Sequence, residues 1–223
     1  MRNWGIIITL FYFIVVTILL LPGAYVISGG HWHDVVPAYK DWLTWLWIGI
    51  LVSGQAILLF ISVDSSRKKL KPRQHVLVSV STVALMFGLL TYAGLFSLLG
   101  GIFGDPIMVE LMDTRLQAAG WLIAFWLFWA LVFSLYQSEI SSRINLLVRW
   151  LIKGSVLELL IAVPSHIIAR HRNDCSAPFI TGFGIATGIA IMLLSFGPSV
   201  LFLYKKRLNQ YKRHEGPNQE IIN

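Results

Sequence analysis

The chain has 223 residues, of which 56% are hydrophobic and only 13% are charged, and its mean hydropathy is +0.69. Ordinary soluble domains carry about 25% charged residues, so this composition excludes a typical water-soluble globule. The formal net charge of +7 does not indicate nucleic-acid binding, because the basic residues flank apolar runs instead of lining a folded face.

Six apolar runs are long enough to cross a bilayer, since a transmembrane helix needs about 20 mostly apolar residues. The runs are continuous, whereas barrel strands would alternate in segments of about ten residues. The sequence therefore predicts an all-α fold, a polytopic membrane protein built as one bundle of about six transmembrane helices. The predicted spans are 4–27, 42–63, 76–99, 118–136, 150–169 and 178–204, followed by a basic tail over 205–223.

The first run begins close to Arg2 and has features of a secretory signal. Its apolar stretch, residues 5–21, is longer than the core of about 7–15 residues that a cleaved signal usually has. We therefore expect it to be retained as the first span.

Lysine and arginine residues concentrate in alternate loops, which predicts the orientation of the chain. The remaining loops, on the opposite side of the membrane, hold four basic residues and six acidic ones. Both termini are therefore expected on the cytoplasmic side of the inner cell membrane. The basic residues assigned to that side are Arg67, Lys68, Lys69, Lys71, Arg73, Arg143, Arg149, Lys205, Lys206, Arg207, Lys212 and Arg213.

Two outer loops together contain a candidate metal site. His31 and His33 lie in the first outer loop, and His171 and Cys175 lie in the last one, so the predicted topology puts all four on one membrane face. Nitrogen and sulfur donors of this kind suit copper or zinc. The alternative is that these histidines are solvated or hydrogen-bonded, because no compact ligand motif is present. Cys175 is the only cysteine, which excludes an internal disulfide.

The outer loop between the third and fourth spans predicts a short helix. Asp105 followed by Pro106 is a favourable cap and first-turn pair, and apolar residues then recur at helical spacing. We expect this helix to lie in the outer interface, with Glu110 and Asp113 toward water.

The fifth span carries an acidic residue, Glu158, near the middle of its apolar length. A charged carboxylate that faces lipid at this depth is costly, so Glu158 must be neutral, paired or turned inward. Ser155 and Ser165 share its helix face and predict a polar stripe. Two interpretations stay open: a site that handles a proton or a cation, or a structural acid hydrogen-bonded to Gln55 or Thr91.

The end of the same span, residues 164–175, is unusually polar. His166, Arg170, Arg172 and Asp174 are interpreted as a contact surface on the outer rim. Either the two arginines form a local ion pair with Asp174, or the two arginines and the two histidines, His166 and His171, hold an anionic headgroup or an acidic loop of a partner.

In the sixth span, Gly184 and Gly188 form a pair of small residues one helical turn apart. Small residues let membrane helices approach closely, so we assign this face to helix packing, inside the bundle or against a partner.

Function is predicted mainly from what is missing. We find no serine nucleophile motif, no His-Glu-x-x-His zinc motif and no glycine-rich phosphate loop in the sequence. The first prediction is a non-enzymatic accessory or assembly subunit of a membrane complex, with a membrane-protein partner or a second copy, and with copper or zinc at its outer face as an option. A small ion- or proton-coupled transporter or channel using Glu158 is the second prediction, and an intramembrane enzyme is the third.

Overall fold

The structure, a computed structural model, describes the backbone of residues 2–21, 39–40, 42–64, 73–111, 114–135, 140–172 and 177–215. These residues form helices and short turns, without a strand among them, so the prediction of an all-helical fold is confirmed. The helices are α1 (Arg2–Leu19), α2 (Trp42–Asp64), α3 (Arg73–Phe103), α4 (Asp105–Leu111), α5 (Arg115–Leu135), α6 (Ile140–His171) and α7 (Ala177–Glu215).

Four helices contain stretches that are long and apolar enough to cross a membrane. These stretches are Leu77–Phe103 in α3, Leu116–Leu135 in α5, Val148–His171 in α6 and Ala177–Phe196 in α7. Two shorter apolar helical stretches, Gly5–Leu19 and Thr44–Leu59, correspond to the first two predicted spans. Much of the chain between these two stretches, including residues 22–38, lies outside the described residues, so the prediction of six spans stays a prediction. The four long helices are compatible with a multi-pass membrane protein.

Several helices extend beyond the spans predicted from hydropathy. The helix α6 begins at Ile140, ten residues before the predicted span, and α7 continues to Glu215 through much of the predicted basic tail. Polar residues end an apolar run but not a helix, because lysine, arginine, glutamine and glutamate are good helix formers. Hydropathy therefore locates the membrane-crossing part of each helix and underestimates the helix itself.

The helix α3 is the centre of the bundle. It packs against α5, α6 and α7, with further contacts to α2 and α4, while α6 also packs along α7. Two thirds (67%) of the apolar stretch of α3 is buried, against 6% of the stretch in α5, which leaves most of α5 facing outward. The helices α3, α6 and α7 therefore pack on one another and share an interior surface.

One end of this three-helix group is tied together by polar contacts. Gly104 ends α3 with a φ of 76°, and its N–H donates to the carbonyl of Gly100 at 3.0 Å, as in a left-handed helix C-cap. The guanidinium of Arg172 donates to the same carbonyl at 2.7 Å and to that of Ile102 at 2.9 Å. The carboxylate of Asp105, predicted to cap its own helix, accepts a hydrogen bond at 2.8 Å from Ala177, the first residue of α7. We call this region the Arg172 end.

The Arg172 contacts predict a measurable loss of stability. Replacing Arg172 with alanine leaves the last carbonyls of α3 without their charged donor, so we expect the free energy of unfolding to fall by about 1 kcal/mol. Thermal unfolding in detergent micelles measures this change. Arg170→Ala, two residues away and exposed, is the matched control and should change stability by a few tenths of a kcal/mol at most. Equal effects of the two substitutions would contradict the assigned role of Arg172.

Candidate functional site

The side chain of Glu158 lies in the interior of the bundle. It occupies the middle of the apolar stretch of α6, faces α3 and α7, and is 3% exposed. No other acidic residue occurs in the four long apolar stretches. A single carboxyl group is therefore enclosed by three helices.

Glycines on the facing helices make room for this carboxyl group. A Cβ atom at Gly188 of α7 would overlap Oε2 of Glu158, and one at Gly184 would lie 3.2 Å from Oε1. On α3, a Cβ atom at Gly94 would lie 3.5 Å from Cγ of Glu158, which is an ordinary contact. The pair Gly184 and Gly188, predicted as a packing surface, thus packs inside the bundle against the carboxyl group of Glu158. We call this pair the glycine seat.

Neither oxygen of the Glu158 carboxyl group has a hydrogen-bond partner. The fully buried hydroxyl of Ser97 on α3 also has no hydrogen-bond partner. It lies against Gly184, where a Cβ atom would overlap it. The partners suggested by the sequence do not supply a bond: the Gln55 side-chain oxygen is unpaired, and the Thr91 hydroxyl accepts from Trp129 at 2.8 Å. The acid is thus buried without the hydrogen bonds that a purely structural carboxyl group normally has.

The two serines predicted to share the stripe with Glu158 are both buried, but their surroundings differ. Ser155 donates its hydroxyl proton to the carbonyl of Ile152 in its own helix at 2.9 Å. Ser165 is 5% exposed and packs directly on α3. A Cβ atom built at Gly101 would lie only 2.7 Å from the Cβ atom of Ser165. Ser165 therefore lies on the side of Glu158 toward the Arg172 end, and Ser155 lies on the opposite side.

The predicted rim residues take separate positions. His166 is half-buried, with Nδ1 2.9 Å from the Thr181 hydroxyl on α7. Arg170 and His171 are exposed, and Arg172 binds the end of α3 as described above. Asp174 lies outside the described residues, so an ion pair with the arginines stays a prediction.

The predicted metal site also stays a prediction. His31, His33 and Cys175 lie outside the described residues, and His171 is the only proposed ligand that the structure describes. Within the described part of the chain, no three histidine, cysteine, aspartate or glutamate side chains lie together as a metal site would require.

Ser97 and Gly94 belong to the site but were missed by sequence reasoning. They lie with Gly101 at intervals of three and four residues on α3, which is the spacing of one helix face. A search for small residues on the helices facing an intramembrane acid would have found them, because close backbone approach requires small side chains.

The chain matches no model of a known protein family, no curated protein and no solved structure. Its function is therefore inferred from residues and geometry alone.

The chemistry open to this site is protonation. A charged carboxylate without partners in an apolar interior costs several kcal/mol, so we expect the neutral acid at this site. A metal cation would need several oxygen ligands, whereas the glycine seat brings helix backbone, not a second carboxylate, against Glu158. A proton requires no such shell.

The glycines that face Glu158 predict different changes in stability for two similar substitutions. Gly188→Ala places a methyl group on Oε2 of Glu158, so we expect a loss of about 1–3 kcal/mol of stability by overpacking. Gly94→Ala faces the same acid at ordinary contact distance, so its effect should be near zero or stabilising, by up to about 1 kcal/mol, because alanine favours the helix. Unfolding in detergent measures both variants.

A double variant tests whether the cause is the carboxyl group itself. Adding Glu158→Ala to Gly188→Ala removes the overlapping atoms, so the two losses should be non-additive by about 1 kcal/mol or more. Additive losses would show that Gly188 does not act through Glu158.

Proposed function

We propose that this protein is a small proton-coupled transporter or channel of a membrane, and that Glu158 is its proton-binding group. Among the functions predicted from the sequence, this one has the most support from the described residues. No group of side chains among the described residues supports the third prediction, an intramembrane enzyme.

The observation that carries the proposal is the unpartnered carboxyl group of Glu158 in the middle of an apolar helix. Leaving a buried polar group unpaired costs about 1–3 kcal/mol, and Glu158 has two such oxygens. A residue kept only for packing would be replaced by an apolar side chain at no cost. A group that binds and releases a proton, in contrast, must be able to change its charge and its partners during its cycle.

The surroundings of Glu158 support a proton as the ligand. The glycines of α7 leave the carboxyl group in direct contact with helix backbone, which fits a small neutral acid and not a hydrated cation. The unpaired hydroxyl of Ser97 is a neighbouring polar group, and a hydroxyl can accept a hydrogen bond from a protonated acid while donating its own proton onward.

We further propose six spans with both termini in the cytoplasm and a location in the inner cell membrane. The positive charge of alternate loops supports this orientation, because short cytoplasmic loops carry the excess of lysine and arginine. In this topology the Arg172 end faces outward. The role of accessory subunit, with a membrane-protein partner or a second copy, stays a prediction from the sequence.

Proton flux through proteoliposomes tests the proposal. With a pH-sensitive dye inside and the membrane potential clamped, the purified protein should dissipate an imposed pH gradient, and Glu158→Gln should lower the rate by about tenfold or more, since loss of a positioned proton-transfer group costs about 10²–10⁴-fold in rate. Glutamine keeps the volume of the side chain but cannot carry the proton.

Glu110→Gln is the matched control, because Glu110 is an exposed acid on α4 and should leave the flux unchanged. The unfolding temperatures of all variants establish that the rates refer to folded protein. Equal flux for the protein and for folded Glu158→Gln would refute the proposed function.

A further inference from the structure

We infer, resting on the proposed role of Glu158, that in the conformation described its carboxyl group exchanges protons with water only at the Arg172 end of the bundle. The route is a seam of small and hydroxyl-bearing residues between α3, α6 and α7. The seam consists of Ser97, Gly101, Ala162, Ser165, Thr181 and Gly184.

The seam begins at the carboxyl group. A Cβ atom at Gly184 would overlap the Ser97 hydroxyl and lie 3.2 Å from Oε1 of Glu158, so the two unpaired polar groups both face this glycine of α7. Both side chains are more than nine-tenths buried, at 0% and 3% exposure. A buried hydroxyl without a partner can both accept and donate a proton, which makes Ser97 the first relay position next to the acid.

The seam continues along α6 toward the Arg172 end. Ala162 and Ser165 follow Glu158 at helical intervals, about 6 and 10 Å along the axis at 1.5 Å per residue. Ser165 packs on Gly101 of α3, and both residues are buried. The seam is tightly packed here and is lined by glycine, alanine and serine, so the Ser97 and Ser165 hydroxyls are its polar groups.

His166 lies at the mouth of the seam. Thr181 donates its hydroxyl proton to the carbonyl of Ala177 at 2.9 Å, so the 2.9 Å contact with His166 is best made by Nδ1–H donating to the Thr181 oxygen. The imidazole is half-buried, and the end of the helix beyond it is exposed. Arg170 is the charged group that acts on the imidazole, Arg172 binds the end of α3, and the carboxylate of Asp105 binds the start of α7. A ring with two exchangeable positions links the buried hydroxyls to the solvent side.

The opposite direction is closed by large apolar side chains. One turn from Glu158, a Cβ atom at Gly154 would lie 3.1 Å from the Phe87 ring and 3.3 Å from Leu90. These two residues belong to one packed cluster with Leu151 and Ile191, and all four are buried. We call these four residues the Phe87 layer.

Two hydroxyls beside the Phe87 layer are paired within their own helices: Ser155 donates to Ile152, and Thr187 donates to Phe183. Thr181 in the seam donates within its own helix in the same way, so the bulk of the Phe87 layer closes this side, not the pairing of its hydroxyls. In the conformation described, the proton of Glu158 leaves along the seam and is replaced from the same side, with no net charge moved across the Phe87 layer.

Single-cysteine variants in a Cys175→Ser background test this access directly. Ser165→Cys and Ser97→Cys place a thiol in the seam, and Ser155→Cys places one on the same helix but beside the Phe87 layer. The reagent is a membrane-impermeant cationic methanethiosulfonate added to one face of reconstituted vesicles. His171→Cys and Arg149→Cys, both exposed positions at opposite ends of the apolar stretch of α6, identify which face the reagent reaches.

We expect the seam cysteines to react only when His171→Cys reacts, and at least about tenfold faster than Ser155→Cys, because the rate of thiol reaction depends on access. Reaction of Ser155→Cys at an equal or faster rate, from either face, overturns the inference even when Glu158→Gln abolishes proton flux. Equal flux for the protein and Glu158→Gln overturns the proposed function instead, whatever the labelling pattern. The two failures are therefore distinguishable.

Discussion

The structure depends on one electrostatic constraint, the placement of a single carboxyl group in the apolar interior of a helical bundle. Glu158 is enclosed by α3 and α7, and neither of its oxygens is hydrogen-bonded. In such a medium the charged form is strongly disfavoured unless a partner is present. The neutral acid is compatible with this site only because glycines on the facing helix admit it, so the packing of α6 on α7 and the protonation of Glu158 are coupled.

The two sides of Glu158 differ in how the three helices are packed. On one side of Glu158 the three helices meet through small side chains and hydroxyls, and on the other side they meet through the Phe87 layer. The polar contacts of Arg172 and Asp105 tie α3, α6 and α7 together at the end of the small-residue side. Under the proposed function, this conformation is the state in which Glu158 is accessible from one side only, as alternating access in a proton-coupled transporter requires.

Much of this architecture could be predicted from the sequence, because the bilayer sets the length and polarity of each span. The acid at position 158 and the small pair at 184 and 188 were identified as unusual by their residue types alone. Their mutual contact was not, since it depends on how α6 is rotated against α7, and one sequence gives the face of each helix but not which faces meet. The same reason hid Ser97, whose helix carries no charged residue along its apolar stretch to draw attention to it.

At helix ends, local contacts follow from the sequence, but long-range contacts do not. Thr114 and Gln117 bind each other's N–H groups at the start of α5, at 3.2 and 3.3 Å, and their spacing is a capping box visible in the sequence. The bond from Ala177 to Asp105 joins residues 72 positions apart, and no local pattern predicts it. Local signals thus locate the elements, while long-range hydrogen bonds determine how the ends of the bundle are held.

The most direct test of the central claim is infrared spectroscopy of the reconstituted protein, which detects the C=O stretch of a protonated carboxyl group. We predict a carboxylic-acid band at neutral pH that is absent from Glu158→Gln and that shifts when the sample is transferred to D₂O, since the proton of Glu158 is held in an apolar site yet exchanges with water. Absence of this band, or a band that is unchanged in Glu158→Gln, would contradict a neutral, exchangeable acid at position 158.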